Sequence, residues 1–347
     1  MQISFLCPHL RIAGGVRAIL TYADRLARRG HDVTVLVPAK SRVRALVRSA
    51  RGQGPAWIPD FRPRVRWVGA WRAADLAGAD VAVATAWQSA PIVAASSARA
   101  TFYLVQHYES LYHGDAARVD ATYRLPLRKI VISTWLGDIM RERFASDAEV
   151  LVTPVDPALF HRVDVAPRTP RPRVLMLHHG YAWKGVADGL DAVARVKLRV
   201  PSLHLVGFGV KPPKEALPYD EFHPNPPQER LAELYSGSDV YLCPSWDEGL
   251  GMPSMEAMAC GAALVTYDNG GSRDYARDGD TAFVAPRRDV AALAARLEQA
   301  ATDDLVRGTI AARGRAHVTR AFDWERAVAR MEAIFAEASS LAIGRPR

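Results

Sequence analysis

The residues of this sequence whose types and spacing point most clearly to chemistry are two carboxylates, Glu248 and Glu256. Seven residues separate them within the string 244–261, which is PSWDEGLGMPSMEAMACG. Glycine lets a backbone approach a ligand closely, and a helix N-terminus offers free N–H groups that suit a phosphate. Two spaced carboxylates can each accept hydrogen bonds from a pair of vicinal hydroxyls, one on a sugar and one on a ribose. The string therefore predicts a cradle for a nucleotide sugar.

The elements around these carboxylates are expected to form a strand–loop–helix corner. Residues 239–243 predict a short buried strand, and Glu248 follows in a glycine-punctuated loop. Pro253 suits the first position of a helix and Gly261 its end, so Glu256 falls in the first or second helical turn. Taken singly, an acidic residue near a helix start is favoured anyway. The prediction therefore depends on the whole string.

Length and composition indicate a two-domain globular protein. The chain has 347 residues, which exceeds the size at which one core usually stops growing. The sequence contains no run of about 18 apolar residues, so no membrane span is predicted. The start of the sequence predicts a first strand rather than a signal peptide. Three scattered cysteines fit neither a disulfide framework nor a zinc site, so we expect a reducing, cytoplasmic location.

The formal net charge of +8 would suit an anionic partner. Much of the excess is arginine dispersed along predicted helices, which is more typical of a solvated face than of a groove for a polyanion. We therefore expect no nucleic-acid partner. The charge also favours, weakly, a peripheral contact with an anionic membrane surface at the inner membrane face.

The first half of the chain opens like a doubly wound parallel sheet. A strand at 1–7, a helix from about 16 to 29 and a strand at 33–37 are predicted in succession. Gly14 and Gly15 lie at the first strand-to-helix turn, although a double glycine is most often only a turn. The pattern is not G-x-G-x-x-G and no acidic residue closes the next strand, which disfavours a dehydrogenase.

A single histidine, His107, follows a predicted strand at 101–105. Residues just past the carboxyl end of a parallel strand often face a ligand. From the residue alone, a hydrogen-bonded surface histidine is the better interpretation.

A second strand–helix series follows a proline-rich linker at 164–173. Its first strand leads into the turn HHGYAWKG, which contains His179 and Lys184. A lysine near a helix start opposes the helix dipole and needs a reason, the alternative being a surface lysine. Further short strands lead to Gly207 and to a predicted turn at His223.

The string 244–261 strongly resembles the donor-site signature of retaining GT-B glycosyltransferases, specifically glycosyltransferase family 4. That signature has a Glu, seven residues and a second Glu inside PS-x-x-EGxGxPxxEAMACG. Here only Leu250 and Met252 stand where Phe or Leu is usual. The segments 183–185 and 268–274 resemble the family less closely, and the first 150 residues only thinly.

The resemblance implies an α/β protein with the GT-B fold, in which two Rossmann-like doubly wound domains face each other across a cleft. Residues 1–155 would form the acceptor-side domain, joined by a C-terminal helix at 323–340. Residues 172–322 would form the donor-side domain, and residues 156–171 the linker between them.

The resemblance also assigns roles inside the cradle. Glu248 would bind the donor-sugar hydroxyls, and Glu256 the ribose hydroxyls. The backbone amides around Leu250, Gly251 and Met252 would contact the hexose or the phosphate.

Outside the cradle, Lys184 would neutralise the donor diphosphate. The family has an Arg where this chain has His179, so either His179 takes that role or another cation, Arg17 or Arg273, substitutes. The family usually has a Glu where this chain has Asp274, which is one methylene shorter.

Four further positions carry implied donor contacts. Gly14 and Gly15 would face the donor phosphates, Gly207 would belong to the donor site, and His223 would lie near the nucleobase. His107 would touch the donor sugar near the reaction centre. The implied catalytic residues are then His107, Lys184 and Glu248.

The implied reaction transfers a sugar from a nucleotide diphosphate sugar to an acceptor hydroxyl compound or glycan, with retention at the anomeric carbon. It would serve the synthesis of a glycan, a glycolipid or a glycosylated metabolite, with no metal ion and no other cofactor. Two alternatives stay open: a catalytically idle nucleotide-sugar-binding protein or partner subunit, and a GT-B nucleotide-sugar epimerase. The donor base, the donor sugar, the acceptor and the oligomeric state are not fixed by the sequence.

Overall fold

The computed structural model describes residues 1–39, 41–112, 115–166 and 169–343. The chain divides into two units, one made of Met1–Thr153 with the segment from Glu325 onward, and the other of Pro154–Trp324. Residues 167 and 168 of the expected linker lie outside the described residues. Each unit is built on its own parallel sheet.

The described part of the first unit contains a seven-stranded, fully parallel sheet in the order β3-β2-β1-β4-β5-β6-β7. Its central strands are fully buried because helices cover both faces of such a sheet. The strands are β1 (Gln2–Leu6), β2 (Asp32–Pro38), β3 (Arg64–Val68), β4 (Val81–Ala84), β5 (Ala100–Val105), β6 (Arg128–Val131) and β7 (Ala148–Val150).

The helices of the first unit begin where the sequence supplies caps. Ser133 accepts a hydrogen bond from the Leu136 N–H, as expected for the residue before α5, and Asp115 caps α4 in the same way. Helix α4 was not predicted. The helices are α1 (Gly14–Arg28), α2 (Arg42–Ala50), α3 (Ala90–Ala94), α4 (Ala116–Tyr123) and α5 (Thr134–Phe144).

The described part of the second unit has a six-stranded parallel sheet in the order β10-β9-β8-β11-β12-β13. Its core is aliphatic, with Val174, Leu205, Leu242 and Val265 among the fully buried side chains. The strands are β8 (Arg173–Leu177), β9 (His204–Gly209), β10 (Glu221–Pro224), β11 (Val240–Cys243), β12 (Ala263–Tyr267) and β13 (Phe283–Ala285).

The last helix belongs to the first unit by its contacts. The ring of Phe335 lies 4.8 Å from that of Phe102 on β5, and Glu332 forms ion pairs with Arg29 and His31. The remaining helices are α6 (Val186–Lys197), α7 (Gln228–Ser236), α8 (Met252–Ala259), α9 (Val290–Thr302), α10 (Asp304–Ala321) and α11 (Trp324–Ile343).

Two local predictions are wrong. The predicted turn at His223 lies inside β10, where His223 pairs with Phe208 of β9. Because β10 is an edge strand, Pro224 has no ladder bond to lose on its outer side. The glycine pair Gly14–Gly15 forms the first turn of α1 rather than the loop before it, with Ala13 at the N-cap.

Candidate functional site

The centre of the candidate site is an ion pair between Lys184 and Glu248. Lys184 ends a single 3₁₀ turn before α6, and Glu248 lies in the loop between β11 and α8. The Lys184 Nζ lies 2.7 Å from Glu248 Oε1, and the two side chains are 21% and 11% exposed. Burial lowers the pKa of Lys184, but the charge and the hydrogen bond of Glu248 outweigh it and raise this pKa above its usual value. Lys184 is therefore a fixed cation at neutral pH.

Gly185 explains why a glycine follows this lysine. Its φ of +64° lies in the left-handed region, and a Cβ there would stand 1.9 Å from the Pro244 carbonyl oxygen. No side chain fits so close to a backbone. The contact holds the N-terminus of α6 against the end of β11. The loop that contains Glu248 starts at this end of the strand.

The loop between β11 and α8 is held in place by the segment that contains Gly270 and Gly271. The Glu248 N–H donates to the Asn269 carbonyl at 2.9 Å, and the Gly271 N–H donates to the Glu248 carbonyl at 3.1 Å. A Cβ on Gly271 would lie 2.6 Å from the Leu250 Cα, so only glycine allows this packing. The segment 268–274 thus supports the carboxylate loop.

Helix α8 starts from Gly251, which has φ +89° at the N-cap. It begins at Met252, one residue before Pro253, the predicted first residue. The Tyr275 hydroxyl donates to the Gly251 carbonyl at 3.3 Å from a fully buried position. Tyr275 is a supporting residue that the sequence did not reveal, because nothing in its spacing links it to the loop.

Glu256 lies in the second turn of α8 and is only 3% exposed. Its Oε2 accepts a hydrogen bond from the Tyr235 hydroxyl at 3.4 Å. Leu250 is also buried, whereas Met252 is half-buried. The two carboxylates of the signature therefore differ in setting, since Glu248 has a cationic partner and Glu256 a phenolic one.

His179 is placed close enough to Lys184 and Glu248 for both charges to act on it. Burial and the Lys184 ammonium lower the pKa of His179, so the imidazole is neutral at pH 7. Its Nδ1 accepts the Tyr181 N–H at 3.2 Å, which leaves the proton on Nε2. His179 can therefore donate one hydrogen bond to an anion but supplies no charge.

That Arg273 or Arg17 substitutes for the family's Arg stays a prediction. The Arg273 guanidinium binds both oxygens of Asp268, at 2.7 and 3.0 Å. Arg17 lies on α1, in the first unit.

Gly207 lies on β9 and His223 on the neighbouring edge strand β10. A Cβ on Gly207 would lie 2.6 Å from the rings of Phe222 and Tyr219, so this glycine makes room for two aromatic side chains. The His223 Nε2 lies 2.7 Å from Glu221 Oε1. His223 thus lies beside Glu221, and its place near the nucleobase stays a prediction.

The predicted residues of the first unit collect at the carboxyl end of its sheet. Gly15 lies against Gln106, whose Oε1 would be 3.2 Å from a Cβ on that glycine. His107 follows β5, and its ring centroid lies 5.0 Å from that of Tyr112. Gly14 opens α1 with free space around it.

The sequence did not predict a role for Glu109, which lies two residues after His107. Glu109 Oε2 accepts the Trp87 N–H at 3.1 Å and the Tyr103 hydroxyl at 3.3 Å. Burial raises the pKa of Glu109 to about 7. The Tyr123 hydroxyl accepts the Glu109 N–H and donates to the His107 carbonyl, so it clamps the turn that carries both residues.

No group of three or more His, Cys, Asp or Glu residues that could hold a metal ion occurs in the described ranges. Among those ranges, no helix is both long and apolar enough to cross a bilayer. The three cysteines are free and buried. The cytoplasmic location and the contact with an anionic membrane stay predictions.

Solved structures of low sequence identity share the fold of this chain. A sucrose-phosphate synthase from Thermosynechococcus elongatus superposes with a TM-score of 0.80 at 17% identity, over 98% of this chain and 99% of that one. Anabaena HepE in complex with UDP-glucose superposes with a TM-score of 0.75 at 17% identity, over 98% and 99%. The predicted fold is confirmed: the chain has the two-unit α/β architecture of the GT-B glycosyltransferases.

The family follows from sequence comparison. Residues 160–317 match the model of the family described as Glycosyl transferases group 1, so the second unit carries a domain of that family. The resemblance based on the string 244–261 is thereby confirmed at the level of the group 1 glycosyl transferases, while family 4 and the retaining mechanism stay predictions.

Curated relatives match the chain in two ways. The phosphatidyl-myo-inositol mannosyltransferase of Mycolicibacterium smegmatis is 26% identical over 99% of this chain and 95% of its own length. The D-inositol 3-phosphate glycosyltransferase of Streptomyces bingchenggensis is 31% identical, but over 34% of this chain and 26% of its own length. The chain thus spans only about a quarter of that relative.

Proposed function

We propose that this protein is a retaining glycosyltransferase of family 4 that uses a nucleotide diphosphate sugar as its donor. The observation that carries the proposal is the buried Lys184–Glu248 pair, with Nζ and Oε1 2.7 Å apart at the end of β11. The family match of residues 160–317 supports it. A solved relative, Anabaena HepE, was crystallised with UDP and glucose.

In the proposed complex, the donor diphosphate binds Lys184 and the sugar hydroxyls bind Glu248. A diphosphate competes with Glu248 for the same ammonium, so binding loosens the ion pair and releases the carboxylate for the sugar. The amides at the start of α8, from Gly251 onward, add a helix N-terminus for the diphosphate or hexose. His179 donates one neutral hydrogen bond, and Glu256 turns toward the ribose hydroxyls.

The proposed step breaks the bond between the anomeric carbon and the diphosphate oxygen. A bond from the acceptor oxygen to that carbon forms on the same face, and the acceptor proton passes to the leaving diphosphate. Lys184 stabilises the negative charge that develops on the leaving group, which is preorganised electrostatic catalysis. Because Lys184 is already charged and positioned before the donor binds, little reorganisation is needed.

The first unit supplies the acceptor side in this proposal. His107 contacts the donor sugar near the reacting carbon, and Gly14 and Gly15 face the donor phosphates. Relatives are named for D-inositol 3-phosphate and phosphatidyl-myo-inositol. Hydroxyl-rich acceptors are therefore the first to test, with products that would be glycans, glycolipids or glycosylated metabolites.

One observation favours a second candidate, a catalytically idle nucleotide-sugar-binding protein or partner subunit. The family's Arg is replaced by His179, whose lowered pKa leaves it neutral at pH 7. The leaving diphosphate then has one cation fewer in the second unit. An epimerase would instead invert the sugar C2 of the free donor.

The test is turnover of a panel of nucleotide sugars with inositol-type acceptors, followed by NMR of the product anomer. The proposal expects transfer with retention and a loss of about a hundredfold or more in Lys184→Ala. Lys197→Ala is the matched control, because Lys197 on α6 forms a surface ion pair with the exposed Asp220. Binding without any turnover would support the idle binder, and inversion at C2 the epimerase.

A further inference from the structure

A groove of about 520 Å³ lies in the second unit, at the amino ends of the sheet strands. The candidate site lies at their carboxyl ends. The lining of the groove includes Ser238 and Asp239, just before β11, and Gly261, just before β12. The Lys184–Glu248 pair lies instead where β11 has ended. The four residues of β11, at about 3.3 Å each, separate the amino and carboxyl ends of this strand by roughly 13 Å. The groove is therefore a separate feature.

One face of α10 forms the floor of this groove. Nine of its residues line the cavity at helical spacing, and those in the middle are small: Gly308, Ala311, Ala312 and Ala316. A Cβ on Gly308 would meet nothing within 4 Å. The helix is held on its other side by the buried residues Ile310, Gly314 and Val318. The small side chains thus leave open space between longer ones.

The longer side chains are mostly arginines, and four of the five arginines that line the groove fall into two groups. Arg171 and Arg307 already have carboxylate partners. Arg171 binds both oxygens of Asp239, and Arg307 lies 2.7 Å from Asp304. Arg162 and Arg315 differ from them. Within the described ranges, neither guanidinium has a carboxylate within 4 Å or donates a hydrogen bond.

A structural role accounts for only part of this charge. Arg162 packs over Gly261, and the Arg315 charge lowers the pKa of Cys260 against the larger effect of burial, which raises it. Both cations therefore stand at the C-terminal end of α8, where positive charge is favoured. Neither, however, uses its donors on the helix carbonyls, and an arginine fork is suited to bidentate phosphate recognition.

We propose that the groove bordered by Arg162 and Arg315 binds a phosphate-bearing ligand, at a site independent of the sugar donor. The cavity is in the size range of small-molecule sites. The phosphate belongs either to a free phosphorylated molecule or to a lipid headgroup. Asp239 and Asp304 at the same groove limit the positive charge and disfavour a long polyanion such as nucleic acid.

Calorimetric titration of the full chain with inorganic pyrophosphate tests this site. Because Lys184 is proposed to bind diphosphate too, the titration is made in a Lys184→Ala background. We expect binding to persist there and to weaken about tenfold for each of Arg162→Gln and Arg315→Gln. Arg313→Gln is the matched control, since Arg313 is an exposed arginine of the same helix facing Asp280 at 3.4 Å.

The outcomes separate this proposal from the proposed enzyme function. If Lys184→Ala alone abolishes pyrophosphate binding, or the two arginine substitutions leave it unchanged, the groove site is wrong. If the arginine substitutions abolish binding and Lys184→Ala does not weaken it, the groove site stands and the role of Lys184 is wrong.

A second measurement identifies the source of the phosphate. Sedimentation with vesicles containing phosphatidic acid, lost in the arginine variants and absent with phosphatidylcholine alone, would identify a headgroup. Pyrophosphate binding without vesicle binding would identify a free molecule. A DNA oligonucleotide that binds the groove more tightly than pyrophosphate would overturn the assigned ligand class.

Discussion

Replacing Gly185 by alanine tests how the site is assembled. Gly185 has φ +64°, and a Cβ there would lie 1.9 Å from the Pro244 oxygen and 2.8 Å from its carbonyl carbon. Since both obstacles are backbone atoms, no change of rotamer can relieve them. Either α6 or the end of β11 must move, and Lys184 and Glu248 are attached to those two elements.

The cost can be estimated from two contributions. A non-glycine residue in the left-handed region costs about 1–3 kcal/mol, and overpacking adds about 1–3 kcal/mol. The smaller conformational freedom of alanine in the unfolded chain returns about 0.4–1 kcal/mol. The net destabilisation is then about 2–5 kcal/mol, which for a unit of this size lowers the melting temperature by roughly 5 to 15 °C.

Scanning calorimetry of Gly185→Ala measures this shift, with Gly180→Ala as the matched control. Gly180 lies in the same loop, and a Cβ on it would meet nothing within 4 Å. We expect the control to melt within a few degrees of the wild type and to bind nucleotide normally. If Gly185→Ala melted like Gly180→Ala, the close contact between Gly185 and Pro244 could not be what holds Lys184 beside Glu248.

Three further substitutions have outcomes set by local chemistry. The pKa of Glu109, about 7 against an ordinary 4.5, means that the folded chain binds this proton more tightly, so its stabilisation is complete below pH 4.5 and lost as the pH rises through 7. Urea titrations measure this as the free energy of unfolding of Glu109→Gln minus that of the wild type. This difference should rise by on the order of 2 kcal/mol between pH 4.5 and 8, and a difference that does not change with pH would contradict the assignment. Ser133→Ala removes the bond to the Leu136 N–H and should lower the free energy of unfolding by about 1 kcal/mol in the same assay, whereas an unchanged value would mean that the cap contributes nothing. His179→Arg adds a cation beside Lys184 and should tighten nucleoside diphosphate binding about tenfold by calorimetry, unless the position does not face the diphosphate.

The corner that carries Glu248 and Glu256 could be predicted because its signals are local. A buried strand, a glycine loop, a proline in the first turn and a glycine stop all fall within twenty-odd residues, and β11 and α8 follow them closely. Ser133 was predictable for the same reason. Capping depends on the residue and its next three neighbours.

The partners of these residues could not be predicted, since they come from distant segments. Tyr275 reaches Gly251 across 24 positions of sequence, and no periodicity connects them. The neutral state of His179 depends on burial and on the charge of Lys184, neither of which a sequence displays. The raised pKa of Glu109 likewise depends on the burial of its carboxyl group, which the hydrogen bonds from the Trp87 N–H and the Tyr103 hydroxyl offset only in part.

Calorimetric titration of the wild type and of Lys184→Ala with UDP and GDP tests whether the Lys184–Glu248 pair is where a donor diphosphate binds. Lys197→Ala again serves as the control. We predict that one of the two nucleotides binds the wild type and Lys197→Ala alike, and binds Lys184→Ala at least about tenfold more weakly. Equal affinity for the wild type and a well-folded Lys184→Ala would contradict it.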